Sequence, residues 1–245
     1  MMKIGICTFV DENIKEFSFI STFVHQLYAN RHQYDYQVFS KKYFSNRTAH
    51  WEKLNCLLEM LNQSYDYVMW IDADAIFYNF DFKLEEWLQM YPTEMYFSSD
   101  YPYSSSSKNY INTGIMIMKN TDWVKNFIHE WINHKLGIDF YQNAYHEQQT
   151  VNLLYDCNIC DIKTHCLIFG SYLFNIYLFE DENKQIDHDH PKFLNLFYSQ
   201  KVRPEIVVTH PPPSSPFILH LMKLNHTFRK EYMTRRLKEI LNKFF

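Results

Sequence analysis

The segment from Ser64 to Asn79, SYDYVMWIDADAIFYN, constrains this chain more than any other. Tyr67, Val68, Met69, Trp70 and Ile71 form an unbroken apolar run, the pattern of a parallel strand covered on both faces rather than the alternation of a half-exposed one. The run ends in two carboxylates, Asp72 and Asp74, one alanine apart. Ligands of open α/β sheets collect at the carboxyl ends of their strands. Two like charges beside Trp70 and Ile71 repel each other unless a cation lies between them. The pair therefore suits a hard divalent cation whose remaining positions are taken by phosphate oxygens and water, as the departure of a diphosphate requires. The competing reading is a strand-end turn or a helix cap.

With 245 residues, 47% of them hydrophobic and 18% aromatic, the chain can bury a sizeable core and is expected to form a single domain. Its four glycines, Gly5, Gly114, Gly137 and Gly170, cannot be arranged into a P-loop or a G-x-G-x-x-G dinucleotide turn. Phosphate must then be held by metal and side chains. The N-terminus, MMKIGICTFV, enters a strand without the apolar core of a signal peptide, and no run of eighteen apolar residues follows. The expected location is cytoplasmic or peripheral to a membrane. Five cysteines in a chain of this size suit a reducing compartment, and the cluster Cys157, Cys160, His165 and Cys166 is expected to be free buried thiols rather than a zinc knuckle, since no second C-x-x-C completes it.

The pattern predicts a strand over 3–10, a helix from about Asn13 to Ala29, a strand over 34–39, a helix from about Ala49 to Leu61 and the apolar strand over 66–72. This is βαβ alternation, and right-handed crossovers make it a parallel nucleotide-binding half of about 80 residues. Further strands are expected at Met95 to Ser98 and Ile111 to Met118, and helices at Asp122 to His134 and His146 to Tyr155. The net charge of −4 is uneven: from Leu221 on, seven Lys or Arg stand against two Glu, a net of +5, leaving −9 on the first 220 residues. The end reads as a basic amphipathic helix whose charged face is solvated, with an anionic membrane surface as the alternative. Nucleic acid is not an expected partner.

Taken together, these blocks resemble the GT-A fold nucleotide-sugar glycosyltransferases, within them the family of fungal α-galactosyl and α-mannosyltransferases and plant xyloglucan α-xylosyltransferases. The family's W-x-K-x-x-x-L helix matches Trp51, Lys53 and Leu57, and its W-x-D-[AS]-D-A-[IL]-F block matches Trp70 to Phe77. N-x-G-x-x-[IL]-x-[RK]-N-x-x-W is read from Asn112 to Trp123, H-D-Q as His146-Glu147-Gln148, and the terminal strand ending in His as Phe217 to His220. The resemblance runs from Lys3 to His220. It implies one GT-A domain over 1–245, a mainly parallel central sheet flanked by helices, with a nucleotide-binding half over 1–80, an acceptor and sugar half over 81–220 and a C-terminal helix over 221–245.

It also implies roles. Asp72, Asp74 and His220 would hold the metal, Mn²⁺ in preference to Mg²⁺ because imidazole is softer than carboxylate or water. Asp72 would also touch the donor's ribose or sugar. Thr8, Lys53, Asn112 and Lys223 would contact the nucleotide sugar, and Gln148, Glu147 and Asp100 would serve at the reacting carbon or the donor hydroxyls. Lys53 sits on the flank of the stripe Trp51, Leu54, Leu58 and Leu61; a snorkelling surface lysine is its bland reading. The chain departs from the family at Glu147, where Asp is usual, and after His220, where H-F-x-G-C gives way to His220-Leu221-Met222-Lys223-Leu224. Lys223 or Arg229 is left to supply positive charge there. The reaction implied is metal-dependent transfer of a hexose or pentose from a nucleoside-diphosphate sugar, UDP-linked by preference, to a hydroxyl of a glycan or glycoprotein, with retention. The rivals are a non-catalytic nucleotide-sugar-binding protein of the same fold and a D-x-D phosphatase, for which Ile76 occupies the wrong position.

Overall fold

The computed structural model describes residues 2–99, 111–143, 146–177, 206–207, 217–221 and 226–244. Asp100 and Lys223, and the proline segment 211–216, lie outside them.

In chain order the elements are β1 (Ile4–Phe9), α1 (Lys15–His32), β2 (Asp35–Phe39), α2 (Glu52–Leu61), β3 (Tyr67–Ile71), β4 (Ala75–Phe77), α3 (Leu84–Met90), β5 (Met95–Ser99), β6 (Ile111–Lys119), α4 (Asp122–Asn133), α5 (His146–Asp156), α6 (Ile162–His165), β7 (Cys166–Phe169), α7 (Ser171–Phe174), β8 (Ile176–Tyr177), β9 (Ile206–Val207), β10 (Ile218–His220) and α8 (His226–Phe244). Each helix and strand read from periodicity is present, with ends shifted by a few residues. The Asn13 helix begins as a 3₁₀ turn over Glu12–Ile14 and runs on past Ala29 to a left-handed Gln33 at φ 59°. The Ala49 helix likewise opens with a 3₁₀ turn, Ala49–Trp51.

One sheet has the order β2-β1-β3-β6-β5-β7-β9 and a second the order β4-β10-β8. β1 pairs parallel with β2 and β3, β5 with β7 and β7 with β9, while β6 runs antiparallel to both β3 and β5. β3 is buried along its whole length, as its unbroken apolar run requires. Two apolar clusters pack against the large sheet. One joins α1 and α8 to Met69, Ile71 and Phe77, and the other joins α2, α4 and α5 to Val68, Trp70 and Met116. The register of β5 against β6 slips between Phe97 and Ser98, so that Phe97 faces Met116 and Ser98 faces Asn112. Such a bulge bends its strand and re-aims side chains; here it lies at Asn112 to Gly114.

The expectation of buried thiols is corrected in part. Cys166 starts β7 and is buried, but Cys157 and Cys160 are exposed and free. They sit on the turn that leaves α5, where Asn158, Cys160 and Asp161 are all left-handed and the chain runs over the surface.

Candidate active site

A cleft of about 640 Å³ opens at the carboxyl ends of β1 and β3, lined among others by Asp11, Lys53, Asp72, Asp74, Asn112, Gln148, His220 and Arg229. β3 delivers Asp72 at its end, and Asp74 follows in the tight turn closed by Ala75 N–H donating to Asp72 O at 3.0 Å. β10 pairs antiparallel with β4 and sets His220 opposite Ala75. Nε2 of His220 then lies 3.1 Å from Asp74 Oδ1 and 3.9 Å from Asp72 Oδ2. One ligand atom from each of Asp72, Asp74 and His220 falls within 4.8 Å of the others, a group able to hold a divalent cation.

The surroundings of His220 fit that use. Its Nδ1 donates to Asn175 Oδ1 at 2.6 Å, so the second nitrogen is aimed at the two carboxylates, the outer-shell arrangement that orients a metal-binding imidazole. Gly114 backs the ring: a Cβ there would stand 2.5 Å from His220 Cε1 and 3.0 Å from Asn112 Oδ1. The glycine of the N-x-G block is thus explained by the approach of an imidazole from β10. Burial pushes the His220 pKa down, but the charge and hydrogen bond of Asp74 outweigh it and raise it above the ordinary value. Burial likewise favours a neutral Asp74, yet His220, then Arg229, hold its carboxyl at about 2. Arg229 Nη2 lies 3.3 Å from Asp74 Oδ2, its Nε donates to Leu221 O at 2.7 Å, and its guanidinium sits 5.2 Å from the Phe17 ring centroid. Of the two cations considered after His220, Arg229 is thus in the cleft.

Lys53 is 4% exposed and does not snorkel. Its ammonium lies 2.9 Å from Glu147 Oε1 and 3.2 Å from Asp72 Oδ1, and donates to Thr113 O at 3.2 Å. Desolvation pulls its pKa down, but the two carboxylates more than compensate and keep it charged. Asp72 Oδ1 also accepts from Trp70 Nε1 at 2.7 Å, so the tryptophan of the W-x-D block has a polar task besides packing. α5 projects Glu147 and Gln148 from its first turn while Val151 and Leu154 anchor it in the core. Glu147 is 2% exposed; its Oε1 accepts from Thr113 Oγ1 at 2.8 Å, and its Oε2 has no hydrogen-bond partner among the described residues. Gln148 Oε1 accepts from Thr113 N–H at 3.1 Å, and its amide nitrogen has no partner among the described residues.

Asn112 is buried and bonds Gly114 N–H at 2.8 Å, shaping the bulge that lines the cleft. Thr8, expected to contact the donor, is instead fully buried with no hydrogen-bond partner for Oγ1 among the described residues, and it does not line the cleft, whereas its neighbour Phe9 does. The sequence reading missed Thr113, Asn175 and the stacked pair His50 and His146, whose ring centroids are 4.0 Å apart at the cleft wall. His146 has φ 41°, and its Nδ1 lies 3.0 Å from Thr48 Oγ1. A non-glycine residue held there is the kind of strain that functional sites retain.

No curated protein matches the chain by sequence. Among solved structures, a glycosyltransferase involved in the glycosylation of the major capsid of PBCV-1 aligns with a TM-score of 0.66 over 95% of this chain and 99% of that one, at 12% identity. The galactosyltransferase LgtC, in complex with donor and acceptor sugar analogs, aligns with a TM-score of 0.52 over 96% of this chain and 95% of its own, also at 12% identity. These likenesses give the fold, the mixed α/β sheet of GT-A glycosyltransferases. The model of the galactosyl transferase GMA12/MNN10 family matches residues 10–207. That stretch includes the Asp72-Ala73-Asp74 turn, Lys53, the Asn112 bulge and the Glu147-Gln148 pair, and the chain belongs to this family of glycosyltransferases.

Proposed function

We propose that the protein transfers a hexose or pentose from a UDP-linked sugar to a hydroxyl of a glycan or glycoprotein, with retention and with Mn²⁺ as cofactor. The observation that carries this is the convergence of Asp72, Asp74, His220, Arg229, Glu147 and Gln148 on one cleft. Asp72, Asp74 and His220 would hold the cation, which when bound supplies positive charge to the diphosphate. Arg229 adds a fixed, always-charged guanidinium on the same side, favouring the state in which negative charge builds on the leaving oxygens. Lys53 holds Asp72 and Glu147 in register, and Asp72 can also meet the donor's ribose or sugar. Glu147 Oε2, buried and without a hydrogen-bond partner among the described residues, is suited to accept a hydrogen bond from a donor hydroxyl. Gln148 would lie beneath the anomeric carbon and steady it as the diphosphate leaves and the acceptor hydroxyl enters on the same face. Asn112, Asp100 and Lys223 complete the proposed donor contacts within one domain over 1–245; Thr8, fully buried and not lining the cleft, is not among them.

Among the described residues no helix is long and apolar enough to cross a membrane. We assign any membrane contact to the solvated face of α8, where Lys230, Arg235 and Lys238 are exposed.

The test is hydrolysis of UDP-galactose, UDP-glucose, UDP-xylose and GDP-mannose with Mn²⁺, read by mass spectrometry, together with the melting shift caused by Mn²⁺ and UDP. One UDP-sugar should be cleaved, and Asp74→Ala and His220→Ala should each abolish most of the shift. An unchanged shift in both variants removes the metal assignment. Cleavage of phosphate esters with an inert sugar panel favours a phosphatase, and donor binding without turnover a non-catalytic binder.

A further inference from the structure

Every main-chain carbonyl of the turn that carries Asp72 and Asp74 is committed. Asp72 O accepts from Ala75 N–H at 3.0 Å and Asp74 O from Leu221 N–H at 2.8 Å. The other two are taken by α1. Ser21 Oγ donates to Ala73 O at 2.6 Å, and His25 Nε2 donates to Ala75 O at 2.8 Å. Ser21 and His25 are one helical turn apart, so they share a face of α1, and both are completely buried.

The chemistry of each contact is defined. A carbonyl only accepts, so the His25 proton sits on Nε2, and Nδ1 accepts from the Tyr36 hydroxyl at 3.1 Å. The ring is further held edge-on to Tyr36 and Phe77. The Ser21 hydroxyl also lies 3.0 Å from Ser18 O, but it has one proton, and the contact to Ala73 is the shorter. Filling this space would need only apolar side chains. Polar ones add direction: the Ala73 carbonyl shares a rigid peptide plane with the Asp74 N–H, so fixing its oxygen restricts how Asp74 is presented.

We propose that Ser21 and His25 are positioning residues, which hold Asp72 and Asp74 in cation-binding geometry before a cation arrives. The ordering of the turn is thereby completed on folding and not charged against binding. The proposal rests on the reading of Asp72, Asp74 and His220 as a cation site and extends that site to a helix that supplies no ligand.

The experiment is a Mn²⁺ titration of the full chain followed by electron paramagnetic resonance of the free ion, with a thermal melt of each metal-free variant. Ser21→Ala, which removes one oxygen, and His25→Leu should each raise the Mn²⁺ dissociation constant by roughly tenfold or more, the range for lost outer-shell support. His25→Gln, whose amide can still donate to Ala75 O, should recover most of the affinity. A purely structural role lowers the melting temperature but leaves the affinity of the folded variants at the wild-type value, and that result overturns the proposal. Wild-type protein that binds no Mn²⁺ overturns the cation reading, and this inference with it. Wild-type binding with undiminished affinity in Ser21→Ala and His25→Leu overturns the positioning role alone.

Discussion

Replacing Lys53 by methionine would leave Asp72 and Glu147 facing the space that its ammonium now fills, 3.2 and 2.9 Å away. Removing one partner of a buried ion pair strands the other's charge, and Lys53→Met is expected to cost about 3–5 kcal/mol in urea unfolding. Glu147→Gln in the same chain should restore part of that loss, because one stranded charge is gone. Gln148→Ala separates a different kind of contribution. It should lower turnover by roughly tenfold or more with donor affinity nearly unchanged, the mark of an interaction made mainly in the transition state; equal loss in both would make Gln148 a binding residue. At this scale the sequence marks Asp72 and Asp74 because carboxylates at the end of an apolar run have few other uses, and His220 only through the family resemblance of the strand that it ends. It does not mark the Lys53 to Glu147 pair, because neither residue's neighbours encode a partner on another helix. Asn175 and Thr113 are silent for the same reason: a single polar residue carries no spacing to read.

α8 shows how an element divides its work between two faces. Tyr232, Met233 and Ile240 are buried against the body, Phe244 stacks on Phe80 at 5.5 Å, and Arg31 lies 4.5 Å from the Phe244 ring centroid. Ile240→Ala should therefore cost about 2–5 kcal/mol in denaturant unfolding, while Lys238→Ala on the solvated face should stay within about 0.5 kcal/mol. Similar costs for both would contradict the assigned faces. The elements readable in advance were those with a clear period or an unbroken apolar run: β1, α1, β2, α2, β3, β5, β6, α4 and α5. The three-residue β4 was not, since Ala75-Ile76-Phe77 is too short to show alternation and is a strand only because β10 pairs with it. Of the small second sheet only β10 was expected, from the resemblance; its pairing with β4 and β8 was not legible, because it joins distant segments.

For the whole molecule, the buried histidines make stability depend on pH in opposing senses. Burial holds the His25 imidazole down at about 4, its hydrogen bond to Ala75 O offsetting only part of the effect. The unfolded chain takes up that proton first, near the ordinary value of about 6.5. The contribution is therefore complete above about pH 6.5 and is lost as pH falls toward 4, about 3 kcal/mol in all. His220 acts the other way, since its raised pKa adds stability below about 6.5 that is lost as pH rises through the folded value. The difference between wild type and His25→Gln isolates the first effect: the variant's unfolding free energy should fall less between about pH 7 and about pH 4.5, and parallel curves would place the titration elsewhere. The distance along the chain from Asp74 to His220, 146 positions, has one more consequence. A chain made from its N-terminus presents both aspartates long before β10 exists, so the imidazole reaches them only after those 146 further positions have been added. On the proposed cation reading, capture by all three ligands must wait for β10, and a bound ion would act as a latch, stabilising the molecule over every precursor that lacks this strand.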